Sequence, residues 1–513
     1  MRAVHVQSPL RPGVSGISKS KLLASLQCAK RFWLEVHHPE MREDSAGATA
    51  AFVTGQSVGQ IARRLYDPKR RGTIIDVGRE GTTAAIARTR TLLAERKPIF
   101  EAGFEAKGGK AFADILMPVL RKGLPMWRMV EVKSSSDVKD YQRNDVAIQT
   151  YVARKAGLAL SSVAIAHVDT SWVYPGGEMY DGLLVERDLT EEAFGRGAEV
   201  KEWIAEAEAI AAQRKEPALR TGPHCSDPFE CSFLAYCESQ EKQPKYPVWW
   251  LPRIQSKGLR EFIETRQVRD MRRVPDRLLN GRQLRVKEHT LGDKTYFDWK
   301  GAAAALSGQR LPACFLDFET INFAIPIWKG TRPYQQIPFQ FSLHRLSRSG
   351  KLEHEAFLDL SGNDPSPALA EAVVAACGET GPVYAYNAKF EAGCLNGLAE
   401  RCTKLRRPLL AIVDRLVDLL PIAQDHYYHP AQEGSWSIKS VLPTIAPDLD
   451  HALLEGVKDG GMAMEAYGEA IAPGTAVERR EAIRRELLDY CRLDTYGLVR
   501  LWRHFAGRGD LAI

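Results

Sequence analysis

The chain has 513 residues, of which 44% are hydrophobic, 26% charged and 9% aromatic. That is an ordinary globular composition, long enough for two to four domains of about 100–200 residues, and it excludes wholesale disorder and collagen-like structure. Lys and Arg outnumber Asp and Glu by 70 to 64, a mild excess, and nine cysteines are an odd count unsuited to a secreted disulfide framework.

Residues 1–245 form the first expected domain. Ser18-Lys-Ser-Lys-Leu-Leu-Ala-Ser-Leu-Gln-Cys reads as a helix capped by Ser18 or Ser20. Short β-like runs follow at 111–118, 128–133 and 163–168, with an amphipathic run at 145–156 between the last two. The Ala/Glu-rich stretch 190–213 predicts a long helix, and a compact cysteine segment occupies 224–237. Residues 246–310 read as a basic connector with short helices. Within them, 251–310 holds 14 Lys/Arg against 7 Asp/Glu, which is the whole cationic excess of the chain. Such a segment suits nucleic-acid phosphates, or simply a solvated linker. Residues 311–513 read as strands at 314–319, 339–346, 352–358 and 382–386, a helix at 366–377, and a last long helix at 476–505. A sheet built early with helices following is an α/β pattern.

In this third region Asp317 and Glu319 stand at i, i+2 of an apolar strand, so both carboxylates leave on one face. Two acids on one face suit a hard divalent cation. Glu391, in Asn387-Ala-Lys-Phe-Glu, follows at a strand-to-helix junction, and Tyr490 and Asp494 share a helix face at i, i+4. Taken singly, each is as well explained as a solvated strand-end pair, a first-turn Glu favoured by the helix dipole, or a surface helix pair. Their ordered conjunction over about 180 residues carries the weight. Four acids in one cleft repel without cations, and paired metals stabilise the attacking and leaving oxygens of phosphodiester hydrolysis.

With these motifs, residues 311–505 resemble the DEDDy branch of the DnaQ-like 3′–5′ exonucleases, on a ribonuclease-H-like fold. The resemblance implies that Asp317, Glu319 and Asp494 bind metal, that Glu391 is the motif-two acid and a further ligand, and that Tyr490 orients the attacking water. Glu391 stands where the family usually has Asp, and Asp418 is a substitute candidate. Asp425-His-Tyr-Tyr-His-Pro suggests rings that stack on bases, or core aromatics, and Lys439 opens a capped helix from which it could touch phosphate.

In the first region Asp114 lies in one β-run, and Glu131 and Lys133 alternate onto one face of the next. Two carboxylates can hold Mg²⁺ or Mn²⁺, and a lysine can orient or help deprotonate water. Gln149 follows on the next helix. Cys225, Cys231 and Cys237 cluster at intervals of five intervening residues, with Cys28 far upstream. Four thiolates can hold an iron–sulfur cluster or Zn²⁺. The other five cysteines lie in apolar contexts and read as core.

Together, residues 17–240 resemble the RecB-type PD-(D/E)XK nucleases, on a restriction-endonuclease-like fold, and in particular their AddB-like iron–sulfur subgroup. The resemblance implies that Asp114, Glu131, Lys133 and Gln149 are catalytic, with Asp114 and Glu131 on metal. It also implies that Cys28, Cys225, Cys231 and Cys237 hold a 4Fe–4S cluster. The chain departs from that pattern in the first cysteine gap, in a Tyr two rather than four residues after Gln149, and in lacking the motif-one His near Gly55–Gln60. The joined pair looks like a bacterial two-nuclease family of unassigned role.

The expected function is therefore a metal-dependent nuclease with a 3′–5′ exonuclease in the C-terminal domain and a second nuclease site in the N-terminal one. DNA is the favoured substrate and RNA the alternative. A helicase or a DNA-repair or antiviral-defence partner follows by analogy. The competing expectations are a single-site exonuclease with a non-catalytic iron–sulfur DNA-binding domain, and a non-enzymatic nucleic-acid-binding or redox-sensing protein. No apolar run approaches the roughly 18 residues of a membrane helix, and Met1–Gly16 has no apolar signal core. A cytoplasmic protein without a membrane partner is expected.

Overall fold

Apolar runs in the first half pair into a seven-stranded mixed sheet. The computed structural model describes residues 16–308, 310–451 and 454–509; the expectation about a signal core concerns residues 1–15, outside the described residues. The chain divides into two units: Met1–Lys242 with Phe323–Tyr334, and Gln243–Asn322 with Gln335–Ile513. Both mix helices with sheet, so the architecture is α/β. No helix among the described residues is long and apolar enough to cross a membrane.

The first unit's strands lie in the order Thr73–Ile74, Ile99–Ala106, Gly109–Arg121, Leu124–Lys133, Leu160–Val168 and Leu184–Asp188. Ile17–Ser18 adds in parallel beside the start of Gly109–Arg121. Leu124–Lys133 and Leu160–Val168 run parallel, and the intervening helix Asp140–Lys155 buries Val146, Ala147 and Val152 in the core beneath the sheet. The helix read at 190–213 is two, Thr190–Gly195 and Gly197–Ala211, because glycines at 195 and 197 flank the break at Arg196. Phe323–Tyr334 packs into this unit. Ala324 is buried beside Val58, Ile61 and Val168, and the Tyr334 hydroxyl donates to the Ser134 carbonyl.

The second unit's sheet runs Leu352–Leu358, Ile337–Leu346, Ala313–Ile321, Val383–Ala385, Leu416–Asp418. The first three strands are antiparallel and the last three parallel, sharing Ala313–Ile321 as the hinge between the two patterns. Strand alternation divides Ala313–Ile321 cleanly. Cys314, Leu316 and Phe318 pack under the helices Ser366–Cys377, Lys389–Arg401 and Arg406–Val413. Ala313 and Phe315 face the other way, into a core shared with Leu498, Trp502 and Phe505 of the terminal helix Val477–Phe505. Asp317 and Glu319 continue that second face.

Residues 246–310, read as a connector, fold as part of this second unit. Val248, Leu251, Leu259, Met271, Val286 and Ala302 are buried in the same core as Phe315. The basic side chains stay on its outside, where Arg282 and Arg285 reach Gln424 and Asp425. The packing is tight enough that Gly434, at φ +78°, leaves no room for a side chain: a Cβ there would stand 1.6 Å from the Trp250 carbonyl oxygen. Of the ring-rich run at 425–430, Tyr427 and Tyr428 are core residues. They pair with Tyr296–Phe297, and the Tyr428 hydroxyl lies 2.7 Å from Thr290 Oγ1, so neither ring is open to a base.

Candidate functional site

Three separate elements of the second unit deliver acids to one place. Asp317 and Glu319 come from the central strand, opposite a register shift between Pro338 and Gln340 in the neighbouring strand. Glu391 comes from the first turn of Lys389–Arg401, which follows the parallel strand Val383–Ala385; Asn387 takes the turn with φ +69°. Asp494 and Tyr490 come from one face of the terminal helix. Ligands of α/β sheets gather at the carboxyl ends of parallel strands, and these residues sit there. Glu319, Glu391, Asp494 and Tyr490 are buried.

The electrostatics are those of crowded anions. Burial, then Asp494, raises the Asp317 carboxyl well above the ordinary carboxylate range. Burial, then Asp317 and Asp494, does the same to Glu319, and burial, then Asp317, to Glu391. Glu391 Oε2 is buried without a hydrogen-bond partner. An orphaned buried carboxylate oxygen facing other carboxylates is the donor set a divalent cation would complete. Burial, then Asp494, Glu319 and Asp317, raises the Tyr490 phenol far above its usual value, so it keeps its proton. His451 Nε2 lies 2.7 Å from Asp494 Oδ1, and the Lys439 ammonium sits 5.4 Å from the Tyr490 ring centre while donating to the Lys458 carbonyl. Asp418 stands close enough to add to the rise of the Glu391 carboxyl, while its Oδ1 accepts from the backbone N–H of Leu420 and Asn387, capping the helix Leu419–His426.

The first unit holds a second polar centre. Asp114, Glu131 and Lys133 meet at a place where the sheet is pried open. The Val132 N–H donates to Asp114 Oδ2 at 2.7 Å instead of joining the ladder, and Glu101, across from Asp114, has φ +58°. The Lys133 ammonium bridges Glu131 Oε1 at 2.7 Å and Asp145 Oδ2 at 2.6 Å. Gln149, one turn after Asp145 on the same helix face, donates to Asp145 Oδ1 at 2.8 Å. A second ammonium, from Lys19 of the opening helix, reaches Glu131 Oε1 at 2.8 Å and Asp145 Oδ1 at 3.2 Å. Burial, then Glu131, raises the Asp114 carboxyl. On Lys133 and Lys19, burial works against the charge but is outweighed by Asp145 and Glu131, so both hold their protons more firmly than free lysine.

Cys28, Cys225, Cys231 and Cys237 line one cavity together with Lys30 and Arg31. Cys28 caps the helix Ala29–His37, its sulfur 3.5 Å from the Arg31 N–H. The cysteine segment is tied back to this helix pair by Gln27, whose amide donates to the His224 and Phe229 carbonyls. Burial raises the Cys225 and Cys231 thiols, and burial against the opposing pull of Lys30 leaves Cys237 pushed up to about 11.

The sequence-read acids, Tyr490, Gln149 and the four cysteines thus assemble into three clusters, one in the second unit and two in the first. The sequence reading missed Lys19, Asp145, Glu101, His451 and Cys491. Asp145 had a signal, since it lies one turn before Gln149 in the same amphipathic run. Cys491, read as core, is buried but has Asp317 Oδ2 3.5 Å from its sulfur.

What these clusters define is an α/β protein with a buried carboxylate centre in its second unit, where Asp317, Glu319 and Cys491 bring ligand atoms within 4.8 Å of one another, and a lysine–carboxylate centre in its first. Residues 314–437, which contain Asp317, Glu319 and Glu391, match the family described as a domain of unknown function, DUF2779. No curated protein matches the chain significantly.

Proposed function

We propose that the chain is a metal-dependent nuclease whose second unit is a DEDDy-type 3′–5′ exonuclease on a ribonuclease-H-like fold. The observation that carries this reading is the convergence of Asp317, Glu319, Glu391 and Asp494 from three elements on one buried centre, with Tyr490 beside them. The sheet order, with the acidic strand at its middle, supports the fold. Mg²⁺ or Mn²⁺ held by these four acids would supply an activated water and neutralise charge on the phosphodiester. The chain's own residues do the rest. Tyr490, a neutral phenol, orients water by donating or accepting a hydrogen bond rather than by taking its proton. Lys439, fixed by the Lys458 carbonyl, offers a charge to substrate phosphate. His451 holds Asp494 in one orientation, as outer-shell partners of metal ligands do. His451→Ala is expected to weaken Mn²⁺ binding about 10–100-fold with the fold intact, read by isothermal titration; unchanged affinity would assign His451 to packing alone.

The first unit supports a RecB-type PD-(D/E)XK fold with Asp114, Glu131, Lys133 and Gln149 in its centre. Its four thiols fit a 4Fe–4S cluster better than one zinc. A single Zn²⁺ at Zn–S distances of about 2.3 Å would gather the sulfurs closely. Among the described residues, however, the trio whose ligand atoms lie within 4.8 Å of one another is Asp317, Glu319 and Cys491, and no three of these cysteines do so.

The test is degradation of 5′-labelled single-stranded DNA with Mg²⁺ or Mn²⁺ by wild type, Asp317→Ala and Lys133→Ala, with an RNA of the same sequence in parallel. A ladder of 3′-shortened products lost in Asp317→Ala is the expected result. A ladder that survives Asp317→Ala would overturn the assignment.

One observation favours a second reading of the first unit, as a nucleic-acid-holding module. Lys19 and Lys133 together already balance Glu131 and Asp145. On that reading Lys133→Ala leaves the product pattern unchanged, and Lys19→Met raises Mn²⁺ uptake by the first unit, read by manganese electron paramagnetic resonance in an Asp317→Asn background. A second product set lost only in Lys133→Ala would restore two nucleases.

A further inference from the structure

We infer that Cys491 is a ligand of the carboxylate centre in the second unit, so that this centre takes a thiophilic divalent cation such as Co²⁺ or Zn²⁺ in preference to Mg²⁺. The inference rests on reading Asp317 and Glu319 as metal ligands. Cys491 lies between Tyr490 and Asp494 in sequence and three residues before Asp494, which keeps it on the helix side that meets the central strand. It is 0% exposed, its sulfur is 3.5 Å from Asp317 Oδ2, and one ligand atom each from Asp317, Glu319 and Cys491 lie within 4.8 Å of one another.

Cys394 faces the same acids, and Cys491 also has the Asp317 backbone carbonyl 3.9 Å from its sulfur, but two other cysteines of the unit behave differently. Cys314 and Cys402 direct their thiols at backbone carbonyls, those of Cys377 and Ser366, each at 3.7 Å. Cys491 is the one with a carboxylate oxygen as its nearest partner. A neutral thiol is a weak donor and brings no positive charge to a buried anion. The second, independent observation is Glu391, 1% exposed, whose Oε2 has no partner and whose carboxyl faces Asp317. The centre therefore holds four carboxylates and a thiol; His451 is bonded to Asp494, and among the described residues no lysine or arginine is bonded to any of the five. Sulfur together with carboxylate oxygen is a donor set for zinc or cobalt, whereas magnesium selects oxygen alone. On binding, the Sγ–H bond is exchanged for an Sγ–metal bond and the proton leaves to solvent.

The test titrates Co²⁺ into full-length, chelator-treated protein without nucleic acid and reads the thiolate-to-cobalt charge-transfer absorption. The first unit's cysteines contribute equally to every variant, so the difference spectrum of wild type minus Cys491→Ser isolates this ligand. The expected difference is one charge-transfer band, absent also in Asp317→Asn and retained in Cys394→Ser. Co²⁺ affinity at the Asp317-dependent site should fall about 100-fold in Cys491→Ser, with Mg²⁺ affinity changed by no more than about threefold. Cys491→Ala repeats the comparison should the serine perturb the helix. Co²⁺ uptake that depends on Asp317 but gives no difference band would overturn Cys491 as a ligand and leave the carboxylate centre standing. Co²⁺ uptake indifferent to Asp317 would overturn both. A band lost in Cys394→Ser instead would move the ligand to that residue and overturn Cys491.

Discussion

Asp317→Asn is expected to slow 3′-end hydrolysis by about a thousand-fold or more, roughly 4 kcal/mol of transition-state stabilisation, and at the same time to stabilise the metal-free protein at neutral pH. Both effects come from one cause. Asp317 faces Glu319 on its own strand, Glu391 on the Lys389–Arg401 helix, Asp494 and Cys491 on the terminal helix, with Lys439 the cation in range. The carboxyls of Asp317, Glu319 and Glu391 are all raised in the folded state. A raised carboxyl binds more protons folded than unfolded. Metal-free stability is therefore fully present below the ordinary carboxylate value near 4, and it declines as pH climbs from there toward the raised values. Asparagine removes one titrating group and relieves its neighbours, so the decline should be shallower. A bound cation reverses the sign, because it draws these carboxyls down and favours their charged forms. The measurement is hydrogen exchange of the Ala313–Ile321 strand between about pH 5 and pH 8, with and without Mn²⁺. Wild-type protection that rises with pH in the absence of metal would show that these acids are not the crowded anions described. A variant that keeps its hydrolysis rate would remove Asp317 from the chemistry.

This coupling of lost activity to gained stability is what a site built for an absent charge should do. Four acids and a thiol gathered under a helix destabilise the metal-free fold, and the core around Phe315, Trp502 and Phe505 carries that cost. A merely structural carboxylate would show the opposite pairing, because its replacement would break hydrogen bonds and lower stability.

How far the site was legible depended on periodicity. Asp317 with Glu319, and Tyr490 with Asp494, could be read because strand and helix repeats put each pair on one face whatever else the chain does. Glu391 could be placed at a junction, but its meeting with Asp317 depends on the parallel pairing of Val383–Ala385 with Cys314–Phe315, which no local pattern reveals. Lys19 was invisible because its partner Glu131 lies 112 residues away, and His451 because it reaches Asp494 across 43 residues from a stretch with no repeat. Cys491 was read as core because its sequence neighbours suggest it, and it is buried; only the packing of the terminal helix on the central strand shows which atom it meets. In the fold, strand Ile99–Ala106 escaped notice because Glu101 and Gly103 interrupt its apolar alternation. Glu101 turns out to sit where the strand backbone departs from β geometry beside Asp114. The 246–310 segment misled through its charge: its arginines dominate the composition while its scattered apolar residues build the core.

Cys231→Ala is expected to strip the iron from the first unit and to loosen the cysteine segment and its seat on the N-terminal helix pair, while leaving the second unit's sheet untouched. The reason lies in what the cluster joins: the opening helices, whose other side is held in the core by Leu22 and Phe32, and the late cysteine segment. Cys28 sits between the helices Lys19–Gln27 and Ala29–His37, and Cys225, Cys231 and Cys237 come from a segment about 200 residues later with little regular structure of its own. Protein contacts across this junction include the Gln27 amide on the His224 and Phe229 carbonyls, the Glu43 N–H on the Ser232 carbonyl, the Ser232 hydroxyl on Asp44, Lys30 and Arg31 over the Tyr236 and Phe229 rings, and an apolar cluster of Trp33, Leu34 and Phe233. Metal–thiolate binding free energy in such a junction is folding free energy, of order 10 kcal/mol for structural zinc, and losing one ligand of four removes several kcal/mol. Wild type purified without oxygen should be brown and contain iron, and the variant colourless. Hydrogen exchange should speed up in Lys19–Gln27, Ala29–His37 and Leu234–Ser239, with Ala313–Ile321 still protected. A colourless wild type holding one zinc would replace the cluster with a single ion, and exchange that spreads equally through both units would show that the cysteines brace more than their own corner.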